Sequence, residues 1–282
     1  MSNARPPLFD FLASQRARVR ARKLSGDRFL DQAAVDGLAD RLAAVTRRFT
    51  RGLWIGEHVP PEIAPFATDW SCVDFDAHEI LDAANSFDLA VSLFSLQAIN
   101  DLPGALVQIR RALKPDGLFV SALLGGATLG ELREAFAHAE SATRGGVSPR
   151  VSPFADVRDL GALLQRAGFA LPVADVERLI VRYRDFFGLV RDLRAHGLTN
   201  AMSERSKQPL RRDTLAALLA HYAAHHADED GKLRARFETL YLTGWSPHES
   251  QQQPLKPGSA KSRLADALGV SEQPLADRTS RS

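Results

Sequence analysis

A doubly wound α/β sheet is the fold this chain of 282 residues predicts, and three stretches predict it. Leu89 to Phe94 is a nearly continuous apolar run, the pattern of a strand buried on both faces of a parallel sheet. Leu118 to Leu124 is a second such run, and between the two Leu102, Leu106, Ile109 and Leu113 fall on one helical face, which makes a strand, helix, strand crossover. Upstream, the short apolar strand Leu53 to Ile55 runs into Gly56, where a nucleotide-binding α/β fold places its glycine-rich turn.

Taken in order, residues 8–47 read as helical, with Leu30, Ala33, Ala34, Leu38, Leu42 and Val45 at helical spacing. After Gly56 come Glu57, His58 and the pair Pro60-Pro61, then SCVDFD, Ser71 to Asp76, as a further strand. Asp101 is placed to cap a helix entered through Leu102-Pro103, and Pro115-Asp116-Gly117 ends it. Gly125-Gly126 leads to Thr128 and Glu131, the spacing of a capping box, with Leu129, Leu132 and Phe136 inward on the helix it opens. A helix over 156–167 stopped by Gly168, a strand over 176–183, helices near 185–196 and 212–227, and a strand over 237–245 complete the pattern. The expected organisation is a helical prefix at 1–50, an α/β domain at 51–250 and a mostly disordered tail at 251–282, rich in Gln, Pro, Ser and charge.

Composition narrows the function classes. A 45% apolar content supports a large core, and 36 Lys plus Arg against 34 Asp plus Glu excludes nucleic acid as the default partner. The basic excess is local: QRARVRARK, Gln15 to Lys23, reads as a solvated or partner-facing helix, with a targeting signal or a peripheral membrane contact as alternatives. The lone Cys72 excludes an intramolecular disulfide, and its apolar surroundings predict a core residue. No apolar run approaches the roughly 20 residues of a transmembrane helix, and no apolar signal core lies near Met1, so a cytoplasmic protein is expected. His221, His225, His226 and Asp228 have spacing that a metal could use. Because they follow Leu215, Leu218 and Leu219 and precede a hydrophilic run, they are read as a solvated helix end, and no metal site is predicted.

The block FDLAVSLFSLQAINDLP…RRALKPDGLFVSALLGG resembles the fourth to fifth strands of class I S-adenosylmethionine-dependent methyltransferases. GGATLGELR, SPRVSPFADVRDLGALLQRAGF, RRDTL and LTGWSPHESQ narrow the resemblance to the complex I assembly factor 5 family, a cousin of the malonyl-acyl-carrier-protein methyltransferases. It covers about residues 8–260. It implies a Rossmann-like methyltransferase fold, S-adenosylmethionine as cofactor, and a part in maturing respiratory complex I, where the mitochondrial member is credited with hydroxylating an arginine.

Against the family pattern the cofactor site departs at several points. Trp54 stands where the family has an acid, and of the Gly-x-Gly-x-Gly turn only Gly56 survives, the other positions falling on His58 and Pro60. The interval from Gly56 to Asp88 holds one strand where the family has two, so the fold is expected to be shortened by an early strand and helix. Spacing then matches Asp76 to the third-strand acid near the adenine, with Asp74 as an exposed turn carboxylate. Gln97-Ala98 replaces a His-Trp pair. The resemblance leaves Gly56, Asp76, Ser92 and Phe94 as cofactor-binding candidates, with binding weakened or lost, and assigns no catalytic residue. His248 and Glu249 are the partner-binding candidates. Two functions stay open: a binding or assembly module acting on a complex I subunit, an assembly intermediate or an intact paralogue, and an active methyltransferase or protein-arginine hydroxylase.

Overall fold

The computed structural model describes residues 6–24, 26–83 and 86–251. The chain opens with helices α1 (Phe11–Lys23) and α2 (Phe29–Ala43) and enters the sheet at β1 (Phe49–Ile55). A single 3-10 turn at Ala64–Phe66 leads to β2 (Ala67–Val73), and β3 (Phe87–Leu93), α3 (Leu102–Ala112) and β4 (Leu113–Leu124) form the predicted crossover. Then come α4 (Gly130–Arg144), α5 (Val157–Arg166), β5 (Ala170–Tyr183), α6 (Phe186–Ala195), α7 (Arg212–His226) and β6 (Leu233–Trp245).

The six strands lie in the order β2-β1-β3-β4-β6-β5, parallel from β2 to β4, with β6 antiparallel to both its neighbours. Parallel neighbours need crossovers, and an apolar strand between two layers of helix satisfies both faces. β3 and β4 read as unbroken apolar runs for that reason. On one face α3 and α5 bury Leu106, Ile109, Leu160 and Leu164 against Ile55, Ala90 and Phe119. On the other, α2 buries Leu38 and Leu42 against Trp54, Val91 and Tyr241, while α4, α6 and α7 pack over Ala235 and Phe237 of β6.

Several expectations need correction. The strand containing Ser71 runs directly beside β1, with Trp54 opposite Cys72, so it fills the place next to β1 and puts Asp74 rather than Asp76 at its end. Cys72 is exposed, because β2 is an edge strand. Thr128 does not cap α4. Its buried hydroxyl donates to the Glu238 carbonyl and accepts from the Glu238 N–H, and Leu129, in the left-handed region at φ 56°, stands before the helix. β5 and β6 are longer than their apolar cores suggest, since antiparallel pairing carries them to the surface as a ladder from Ala170–Trp245 to Tyr183–Leu233. The predicted disordered tail lies, beyond Gln251, outside the described residues.

Candidate functional site

In parallel α/β sheets ligands bind outside the carboxyl ends of the strands. Register sets what meets there: Ile55 stands opposite Val73 and Ser92, so Gly56, Asp74 and Leu93 emerge side by side. Gly56 has φ 150°, and a Cβ on it would meet Trp54 Nε1 at 2.8 Å. The packing of Trp54, buried against the α2 face, therefore already accounts for the surviving glycine. The Gly56 N–H donates to the Val73 carbonyl at 2.8 Å.

Most of the charged and amide groups at this mouth are engaged by the protein itself. Asp74 pairs with Arg18 of α1 at 2.8 Å, and Glu57 pairs with Arg22 at 2.5 Å. Asp76 lies beyond the strand end, where one carboxylate oxygen accepts from His78 N and Ile80 N, each at 2.8 Å. Those backbone donors hold its pKa below the ordinary value, although burial acts the other way. Ser92 is fully buried beside Ser121, and neither hydroxyl has a hydrogen-bond partner among the described residues. Phe94 sits at φ 52°, its N–H donating to the Ala122 carbonyl. Gln97 accepts from Leu124 N at 3.3 Å. Asp101 caps α3 through Gly104 N, as predicted, whereas Asn100 is no part of that cap: its amide group binds both Phe9 N and Phe9 O. Thus Gly56, Ser92 and Phe94 come together, Asp76 does not join them, and α1 lies across the strand ends.

His248 is at the opposite end of the strands from this mouth. β6 runs antiparallel, Trp245 stands opposite Leu118, and Ser246 N donates to the Gly117 carbonyl at 2.8 Å, so the chain leaves β6 at the starting end of β4. His248 and Glu249 are exposed.

The solvated-helix-end reading of the histidines is overturned for two of them. His221 and His226 are only 10% and 13% exposed and turn toward Glu134 of α4, while His225 is exposed. Burial is the main cause of a lowered pKa at His221; His138 and His225 add to it and Glu134 opposes it. Glu134 was invisible to spacing because it comes from another helix.

A methyltransferase domain family matches residues 8–172. The chain is 40% identical over 253 residues to the Danio rerio protein named arginine-hydroxylase NDUFAF5, mitochondrial, covering 81% of this chain and 78% of that one. It is 47% identical over 176 residues to the Homo sapiens protein of the same name, covering 62% of this chain and about half, 51%, of the relative. The malonyl-[acyl-carrier protein] O-methyltransferase of Gallionella capsiferriformans is 38% identical over 176 residues, 62% of this chain and 57% of that one. Among solved structures, the YcgJ protein of Bacillus subtilis superposes with a TM-score of 0.50 at 14% identity over 76% of this chain and 99% of that one, a likeness of fold alone. The names of the zebrafish, rat and human relatives place those proteins in mitochondria, which overturns the cytoplasmic expectation. Among the described residues no helix is long and apolar enough to cross a membrane. With a class I methyltransferase fold and relatives at this identity, the chain belongs to the complex I assembly factor 5 family.

Proposed function

We propose that this chain serves complex I maturation as a binding module whose S-adenosylmethionine site is impaired. The carrying observation is the closure of the strand ends by α1 through Arg18–Asp74 and Arg22–Glu57, with the Gly56 N–H committed to Val73. A methionine carboxylate brought to Gly56 would face Glu57 with like charge, and Pro60 and Pro61 offer no N–H. The residues present do not fit the cofactor. The partner is a complex I subunit, an assembly intermediate or an intact paralogue, and exposed His248 and Glu249 belong to the surface that meets it.

A ligand at a hundred times its dissociation constant stabilises a fold by about 2.7 kcal/mol, which shifts the melting point of a chain this size by at least roughly 2 °C. With S-adenosylmethionine or S-adenosylhomocysteine at about 1 mM no shift is expected. In the same preparations, His248→Ala with Glu249→Ala should weaken capture of complex I assembly intermediates. A shift confirmed by calorimetry and removed by Gly56→Val would favour the second reading, an active methyltransferase or arginine hydroxylase, which the names of the vertebrate relatives support.

A further inference from the structure

We propose that Glu134 of α4 and His221 and His226 of α7 form the protein side of a divalent transition-metal site. The inference is independent of the cofactor cleft.

His221 Nε2 and Glu134 Oε1 are 3.5 Å apart, as are His226 Nε2 and Glu134 Oε2. All three ligand atoms lie within 4.8 Å of one another. A separation of 3.5 Å is long for a charge-assisted hydrogen bond, which prefers about 2.7 to 2.9 Å. It suits two ligands of one ion: with metal–ligand bonds of about 2.0 to 2.1 Å, neighbouring corners of a tetrahedron stand about 3.4 Å apart. Both Nε2 atoms are buried and, beyond these 3.5 Å contacts to Glu134, have no hydrogen-bond partner among the described residues. A buried imidazole nitrogen left unpaired costs stability, and an ion or water satisfies it.

Two imidazoles and one carboxylate select an ion of the zinc, iron, cobalt or nickel kind over magnesium or calcium, which prefer all-oxygen sets. Three protein ligands also leave coordination positions open. Glu134 and His226 line a cavity of about 360 Å³ together with Glu131, Arg234 and Arg236, so an added ligand from that side would be water or an anionic oxygen. Leu129 N bonds the Arg236 carbonyl and Leu124 pairs with Thr239, which puts this cavity beyond the carboxyl end of β4. His138, stacked on His221 with centroids 4.2 Å apart, fixes that ring.

The test uses the full chain without an affinity tag, treated with chelator and dialysed. Titration with Co2+, followed by visible absorption, and with Zn2+, followed by calorimetry, should give one ion per chain at micromolar affinity or tighter, with a rise in melting temperature. Glu134→Ala and His226→Ala should each weaken Co2+ binding by about tenfold or more. His226→Gln serves if the alanine variant does not fold, and His78→Ala, an exposed histidine away from the three ligands, should leave affinity unchanged. Absence of stoichiometric binding would overturn the site. So would binding that survives loss of Glu134 and His226, or binding that is lost with His78.

Discussion

Among single residues, Glu140 joins charge to stability through a buried carboxylate. Its side chain is 1% exposed on α4 and accepts from Ser148 N at 2.6 Å, Ser148 Oγ at 2.7 Å and Arg150 Nε at 2.7 Å, tying the loop after α4 back to the helix. Burial alone would raise its pKa, but the two Ser148 donors and Arg150 outweigh it and the value falls below 4.5. A carboxyl depressed on folding stabilises above its unfolded pKa and loses that contribution as pH falls through the folded value. Glu140→Ala is therefore expected to lower stability by about 3 kcal/mol at pH 7, since it leaves buried donors and Arg150 without their acceptor. The gap to the parent chain should narrow as pH falls below 4.5. Urea unfolding at both pH values measures it, and a gap independent of pH would remove the ion pair as its cause.

Between elements, the fit of α2 on the sheet turns on Gly37. A Cβ there would lie 2.2 Å from the Tyr241 hydroxyl and 2.5 Å from its ring carbon, and Tyr241 is itself buried under Arg41, whose guanidinium stands 3.5 Å above the ring centre. Burial pushes the Tyr241 phenol pKa up, with Glu177 adding to it, so the ring meets α2 as a neutral group. On an isolated helix Gly37→Ala would gain about 1 kcal/mol; here overpacking reverses the sign by about 1 to 3 kcal/mol. A melting point lowered by about 2 to 4 °C per kcal/mol is expected, and an unchanged or higher one would show that Tyr241 moves aside freely. Elements whose burial is continuous were legible in the sequence: β3, α3 and α5 fall where the apolar periodicity puts them, whereas β4 begins at Leu113 instead of Leu118, with Pro115-Asp116-Gly117 inside the strand at a register shift rather than ending the helix. What spacing misread lies where a distant partner decides. Thr128 looks like a cap until β6 claims its hydroxyl, Cys72 looks like core until β2 proves to be an edge, and the histidines of α7 look solvated until α4 brings Glu134. The cofactor loop was legible in part: the poverty of backbone donors after Gly56 is written in its prolines, while the arginines that close it come from a helix more than thirty residues upstream.

For the whole molecule, α1 is a lightly held element set at the strand ends. It buries only Ala17 and Ala21, and its ion pairs to Asp74 and Glu57 are a third to a half exposed, which makes each worth about 0 to 1 kcal/mol. Its entry is fastened by Asp10, which caps the helix at Ala13 N and pairs with Arg205, and by the Asn100 bonds to Phe9. β3 and β4, by contrast, are enclosed on both faces and open only with global unfolding. Amide exchange in Phe11–Lys23 is therefore expected to be much faster than in Leu89–Val91 and Leu118–Leu123, and Arg18→Ala with Arg22→Ala should accelerate it further while leaving the global melting point nearly unchanged. The same measurement bears on the cleft. If α1 is what covers the strand ends, the double variant exposes Gly56, Asp74 and Glu57 without supplying the missing donors, so S-adenosylmethionine should still leave exchange in α1 and β1 unaltered. Protection of α1 equal to that of β4 would show that the helix is part of the rigid core, and protection gained on adding the cofactor would show that the cleft opens to a ligand it can hold.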